Sequence, residues 1–96
     1  MENDDFAALR QTFDPAKNRA NIERRGIDFA SARDFEFETA LIVEDDRRDY
    51  GETRHVAIGF IGERLHVVVF TPRGGELRII SLRKANKREI RAYAES

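Results

Sequence analysis

Apolar and polar positions alternate through most of the second half of the chain, and short runs of turn residues interrupt the alternation. Residues 53–61 and 64–71 read as two strands joined by Gly62-Glu63, a two-residue hairpin turn. The second strand holds the β-branched run Val67-Val68-Val69. Pro72-Arg73-Gly74-Gly75 makes the next turn and residues 76–83 the last long strand. A shorter strand is expected over residues 40–43, linked to residue 53 by the charged stretch 44–51. The first half has a different period. Asp14-Pro15 opens a helix, with Asp14 as its cap and Pro15 at the first helical position, and Gly26 ends it as a left-handed cap. Asp28 caps a second helix that stops near residues 35–38. Asn86 with Glu89 three residues on resembles a capping box, so residues 87–95 should form a closing helix.

This order predicts an α+β domain: a small antiparallel β-meander packed by two N-terminal helices and a C-terminal helix. The sheet face left open is where a concave basic site would form. Residues 1–12 are expected to be an acidic lead-in, loose over 1–5 and a short strand or irregular segment from Phe6 to Phe13. Residues 13–96 then form the single domain, a size that supports one two-layer core.

Composition narrows the classes. The chain has no Cys, which removes disulfides and thiolate chemistry. The first residues are acidic rather than basic and then apolar, and no stretch is long and apolar enough to span a bilayer, so a cytoplasmic protein is expected. Net charge is −1, but its distribution is uneven. Residues 1–52 carry 8 Lys/Arg and 14 Asp/Glu, while residues 53–96 carry 9 Lys/Arg and 4 Asp/Glu. A basic side able to meet phosphates or an acidic partner follows if the halves stay apart in space.

Most catalytic sets find little support. His55 and His66 read as sheet-surface residues more readily than as catalysts. The acids Glu44, Asp45, Asp46 and Asp49 lack the spaced ligands of a calcium loop and read as a solvated connection, so neither metal nor other cofactor is expected; a metal-dependent hydrolase built on them is the weakest reading. Gly74-Gly75 is a turn without a phosphate-binding fingerprint, and Ser81 lacks a nucleophile elbow. Cations remain: Arg54, Arg64, Arg78 and Arg83 on strands or their ends, then Lys84, Lys87, Arg88 and Arg91. Guanidinium groups bind phosphate through two parallel hydrogen bonds and stay charged at any working pH. The competing use is local pairing with Glu52, Glu63 or Glu89.

Phe13-Asp14-Pro15-Ala16-Lys17, Asn21, Arg24-Arg25-Gly26-Ile27-Asp28-Phe29, Gly51-Glu52-Thr53-Arg54, Gly59, the run from Arg78 to Ala85, Glu89 and Tyr93 together resemble the pattern of BrnT-type toxins over residues 13–93. The resemblance implies a RelE-like fold and a metal-independent ribonuclease toxin of a type II toxin–antitoxin module that inhibits translation. It implies a ribbon-helix-helix, BrnA-like antitoxin partner, RNA as substrate, contact with operator DNA only through the antitoxin complex, and an assembly of two toxins and two antitoxins. Carried onto this chain, Lys17 neutralises phosphate, Arg54 and Arg83 clamp the scissile phosphate, and Glu52 is the general base or else an ion-pair partner of Arg54. Arg25, Arg78 and Lys84 bind RNA phosphates, with an internal ion pair as the alternative for Arg78. Tyr93 stacks on a base or packs the closing helix. Arg25 stands where the family commonly has His, and Phe13 where it has Trp. The Arg25 departure favours a second reading, a non-catalytic module whose basic face binds an acidic protein or nucleic acid.

Overall fold

The computed structural model describes residues 3–96. The elements are α1 (Asn3–Ala7), β1 (Arg10–Thr12), α2 (Pro15–Arg25), a 3-10 helix (Phe29–Asp34), β2 (Leu41–Asp45), β3 (Arg54–Ile61), β4 (Arg64–Arg73), β5 (Glu76–Lys84) and α3 (Lys87–Ala94). The α+β class and the run of hairpins from β2 to β5 agree with the sequence, but the sheet is not wholly antiparallel. Its order is β1-β5-β4-β3-β2, and β1 joins the edge of β5 in parallel, Arg10 to Glu76 through Thr12 to Arg78. The expected loose segment over residues 1–5 is corrected from Asn3 onward; residues 1–2 lie outside the described residues. Asn3 Nδ2 donates to the Ala40 carbonyl at 2.8 Å, and Phe6 is buried.

Local chemistry sets the helix ends. The Asp14 carboxylate accepts from Ala16 N at 2.9 Å, and Gly26 closes α2 at φ 72° with its N–H donating to the Ile22 carbonyl. The second helix is a six-residue 3-10 helix rather than an α-helix. Phe35 leaves it in extended conformation and bridges to Ile61, which stops helical growth. Asn18 holds its start: Oδ1 accepts from Phe29 N, and Nδ2 donates to Asp28. In α3, Asn86 and Glu89 form the reciprocal capping box.

The sheet is buried on both faces, unequally. One face meets α1 and the 3-10 helix through Phe6, Phe29, Phe35, Phe37, Ala57, Val68, Phe70, Leu77, Ile79 and Leu82. Phe35–Phe37, Phe37–Phe70 and Phe6–Phe70 meet edge to face at 4.8, 5.7 and 5.0 Å between ring centroids, each pair adding about 0.5–1.5 kcal/mol beyond its area. The other face has a smaller cluster, Ile58, Leu65, Val67 and Ala85 with Phe60 and Tyr93, under α3. Beyond α3 no helix among the described residues covers that face, although Thr71 on it is buried beneath its neighbours.

Gly59 marks a close approach between layers. A Cβ there would stand 2.7 Å from Phe35 Cζ and 3.0 Å from Ala40 Cβ. Phe35 is itself wedged against Phe37, so it has little room to give. Gly59→Ala is expected to lower unfolding free energy by about 1–3 kcal/mol in chemical denaturation, and Phe35→Leu in the same chain should recover part of the loss. Equal stability of Gly59→Ala and the unsubstituted protein would contradict this packing.

Candidate functional site

The positions of the strand arginines follow from one irregularity. Val69 pairs with Ser81 and Phe70 with Ile79, so Ile80 is an extra residue in β5. Leu77 and Ile79 face the aromatic core, and beyond the bulge so does Leu82. Arg78 and Arg83, five positions apart, therefore share the open face; strict alternation would set them on opposite faces. His55 stacks on Phe70, which turns its neighbour Arg54 to that open face as well.

Register then sorts these groups into rows. Asp45 pairs with Arg54, and Thr71 with Arg78, which pairs in turn with Thr12. Thr71 Oγ1 donates to the Thr53 carbonyl, bringing β3 and β4 together one step beyond their ladder. Asp45, Arg54, Thr71, Arg78 and Thr12 thus form one transverse row. Arg54 and Arg78 stand two strands apart, about 10 Å between Cα atoms. Arg83 is level with Val67 and Ile58, four residues further along β3 than Arg54, or about 13 Å. Val56, Val69 and Ser81 lie between the two ends.

At the first end, the Arg54 guanidinium lies over the Tyr50 ring at 4.0 Å, a cation–π contact. Its Nε is 3.6 Å from Glu52 Oε2. That distance allows attraction but not a hydrogen bond, and the buried Nε has no hydrogen-bond partner. Tyr50 Oη donates to Asp45 Oδ2 at 3.1 Å, and Arg47 grips both oxygens of Asp45 at 2.9 Å. Those bonds hold the Asp45 carboxyl well below the usual carboxylate range. Arg78 is half-buried and has no hydrogen bond or ion pair to any described residue. The internal pair considered for it is not formed.

At the second end, Arg83 is paired. Its two terminal nitrogens each donate to a different oxygen of Glu89 at 2.7 Å, a bidentate pair. Glu89 also accepts from Asn86 N at 2.9 Å. Hydrogen bonding from Arg83 lowers the Glu89 pKa, and the same bonds raise that of Arg83. Tyr93 packs edge-on against Phe60 at 5.6 Å, so its ring already has a protein partner. Lys84 is exposed at the end of β5.

Lys17 and Arg25 belong to neither end. Both are exposed on α2, which lies along the edge of β5 that β1 does not reach, where Asn21 Nδ2 donates to the Leu82 and Ile27 carbonyls, both at 2.9 Å. The histidines face the opposite side. His66 is buried, with Nδ1 2.8 Å from the Arg64 carbonyl oxygen, and His55 sits between Phe6 and Phe70, where burial lowers its pKa. The sequence puts both on the sheet surface; His66 is buried and His55 lies against the aromatic core instead. Tyr50 escaped notice because it closes a run of charges, and its ring contact with Arg54 exists only in three dimensions. Among the described residues no three His, Asp or Glu side chains are gathered to hold a metal ion, and no helix is long and apolar enough to cross a membrane.

Chemically, the first end offers a carboxylate beside a guanidinium with an uncommitted donor, and a second guanidinium in the same row. A carboxylate can take a proton from a hydroxyl, and the guanidinium groups can stabilise charge developing on phosphate oxygens. The second end holds α3 to the sheet. A family model described as "Ribonuclease toxin, BrnT, of type II toxin-antitoxin system" matches residues 13–89. No curated protein matches the chain.

Glu89 provides a test of that second end. Its folded-state pKa is depressed, so its contribution to stability is complete above the ordinary value of 4.5 and is lost as pH falls through the lower folded value. Glu89→Gln should destabilise the protein by roughly 1–2 kcal/mol at neutral pH, and the difference should shrink in urea titrations run below pH 4.5. A difference independent of pH would show that the charge on Glu89 is not what holds α3.

Proposed function

The chain belongs to the BrnT family of ribonuclease toxins of type II toxin–antitoxin systems, and from that premise we propose that it is a metal-independent endoribonuclease acting at the Arg54 end of its open sheet face. The observation that carries the site is the transverse row: Arg54 and Arg78 flank Thr71 on one face, and Glu52 stands beside Arg54. In this reading Glu52 takes the proton of a ribose 2′-hydroxyl, and that oxygen attacks the adjacent phosphorus. Arg54 and Arg78 bond the non-bridging oxygens as charge builds on them. The bond to the 5′-oxygen breaks, that oxygen takes a proton from water, and a 2′,3′-cyclic phosphate remains. Arg83 and Lys84 at one side and Lys17 and Arg25 on α2 meet flanking phosphates, and Tyr93 supports the α3 end by packing. The stack of Arg54 on Tyr50 limits its motion, so less order is lost when phosphate binds.

A type II system implies an antitoxin partner. We propose a ribbon-helix-helix, BrnA-like antitoxin that covers the open face at rest, in an assembly of two toxins and two antitoxins that represses its own operon through antitoxin contacts with DNA. Released toxin of RelE-like architecture would then cut RNA in the cytoplasm and inhibit translation. The bidentate Arg83–Glu89 pair favours one alternative, a basic face that binds without cleaving, because it occupies one of the two expected clamp residues.

Purified antitoxin-free protein should cleave RNA in EDTA, and Arg54→Ala should lower the single-turnover rate by about 100-fold or more. RNA that stays intact across several substrates, bound in a salt-dependent way, would favour the binding module. Cleavage that disappears in EDTA would contradict the metal-independent mechanism.

A further inference from the structure

The turn between β4 and β5 carries a second basic feature. Gly74 and Gly75 have φ of 59° and 80°, the left-handed pair of a two-residue hairpin turn, so the turn is fixed by residues that adopt this geometry without strain. Arg73 pairs with Glu76 across the turn, and Thr71 with Arg78 two residues on. Arg73 and Arg78 are thus diagonal neighbours on the open face, about 7–8 Å apart. Thr12 on β1 lies level with Arg78. Thr12, Arg73, Gly74, Glu76 and Arg78 line a cleft of about 370 Å³.

Its electrostatics are unbalanced. The carboxylate that would neutralise Arg73 or Arg78 is Glu76, and Arg10 holds it at 2.6 Å. Neither Arg73 nor Arg78 has a hydrogen bond or ion pair to any described residue. Two like charges side by side on a sheet repel each other, and the two strands hold these together without an internal counter-ion. The cleft supplies two guanidinium forks and a hydroxyl donor, a donor-rich lining suited to phosphate oxygens. Arg78 also belongs to the row of Arg54, and Arg73, on the strand between them, stands two residues beyond that row toward the turn, so the three cations form a triangle.

We propose that this cleft is a phosphate subsite for the backbone of single-stranded RNA, with Arg73 and Thr12 as its ligands and Arg78 shared between it and the adjacent phosphate that reacts at Arg54. The RNA then runs from the Arg54–Arg78 row along β4 toward the β4–β5 turn, on the side of the row away from Arg83. The proposal rests on the ribonuclease reading and adds to it the direction of the strand and a binding residue, Arg73, that does no chemistry.

The test uses a fluorescent 2′-O-methyl RNA, which lacks the nucleophile, titrated by anisotropy at several salt concentrations, alongside cleavage of unmodified RNA. Arg73→Ala should weaken binding on the order of tenfold and flatten the slope of log affinity against log salt by about 0.7, the value for one phosphate contact on a single strand. Its cleavage rate at saturating RNA should stay unchanged while KM rises. Arg73→Lys should recover the salt slope but only part of the affinity. Arg33→Ala, an exposed change on the 3-10 helix of the opposite face, should alter neither. Unchanged affinity and slope in Arg73→Ala, with an unsubstituted protein that binds and cleaves, would overturn the subsite and leave the ribonuclease reading standing. An unsubstituted protein that neither binds nor cleaves RNA would overturn both.

Discussion

One extra residue in β5 determines what this protein can present. Leu77, Ile79 and Leu82 must all enter the aromatic core, and a regular strand cannot turn both Ile79 and Leu82 inward. The bulge at Ile80 resolves the conflict by shifting the phase of the strand. The apolar side chains gain burial, and Arg78 and Arg83 come out on the same face as a by-product. The core therefore dictates where the cations go.

Once there, the arginines part company. Arg83 is paired bidentately with Glu89, which is itself bound into the cap of α3, so this guanidinium serves first as a clamp between helix and sheet. Arg54 is held by weaker means, a ring below it and a carboxylate just out of hydrogen-bond range of its buried Nε, and its terminal nitrogens make no hydrogen bond to a described residue, which leaves donor capacity. Arg78 has no internal partner among the described residues. Hydrogen bonds to a phosphate stabilise most where the donor loses no bond elsewhere, so the order Arg78, Arg54, Arg83 ranks availability for an anion. Family membership brings RNA into view as the anion; the pairing pattern argues for the Arg54–Arg78 end as the place where it meets the chain.

Local signals carried most of the fold. Asp14-Pro15, Gly26, the Gly62-Glu63 turn and the Asn86–Glu89 box each act within a few residues, and each appears where the sequence puts it, while the next turn narrows to Gly74-Gly75 because Pro72 and Arg73 join β4. The departures are long-range. β1 has only three residues, and its partner on β5 is 66 positions away, so no periodicity announces a parallel pair. The 3-10 helix stays short because Phe35 is drawn into contact with Ile61. At the site, residue types were legible and partners were not. The expected grouping of Lys17 with Arg54 and Arg83 assumed one cluster, whereas α2, the Arg54 row and α3 lie at three separate places around the sheet. The Ile79-Ile80 doublet was the one sign of the bulge, and adjacent apolar residues read equally well as an uninterrupted buried strand.

A double-substitution cycle on the single-turnover cleavage rate addresses the central claim, that Arg54 and Arg78 work on one phosphate while Arg83 stands apart. The account predicts that Arg54→Ala and Arg78→Ala are strongly non-additive, the second change costing far less once the first is made. Arg54→Ala and Arg83→Ala should multiply as independent changes. Independence of Arg54 and Arg78 together with coupling of Arg54 to Arg83 would contradict it.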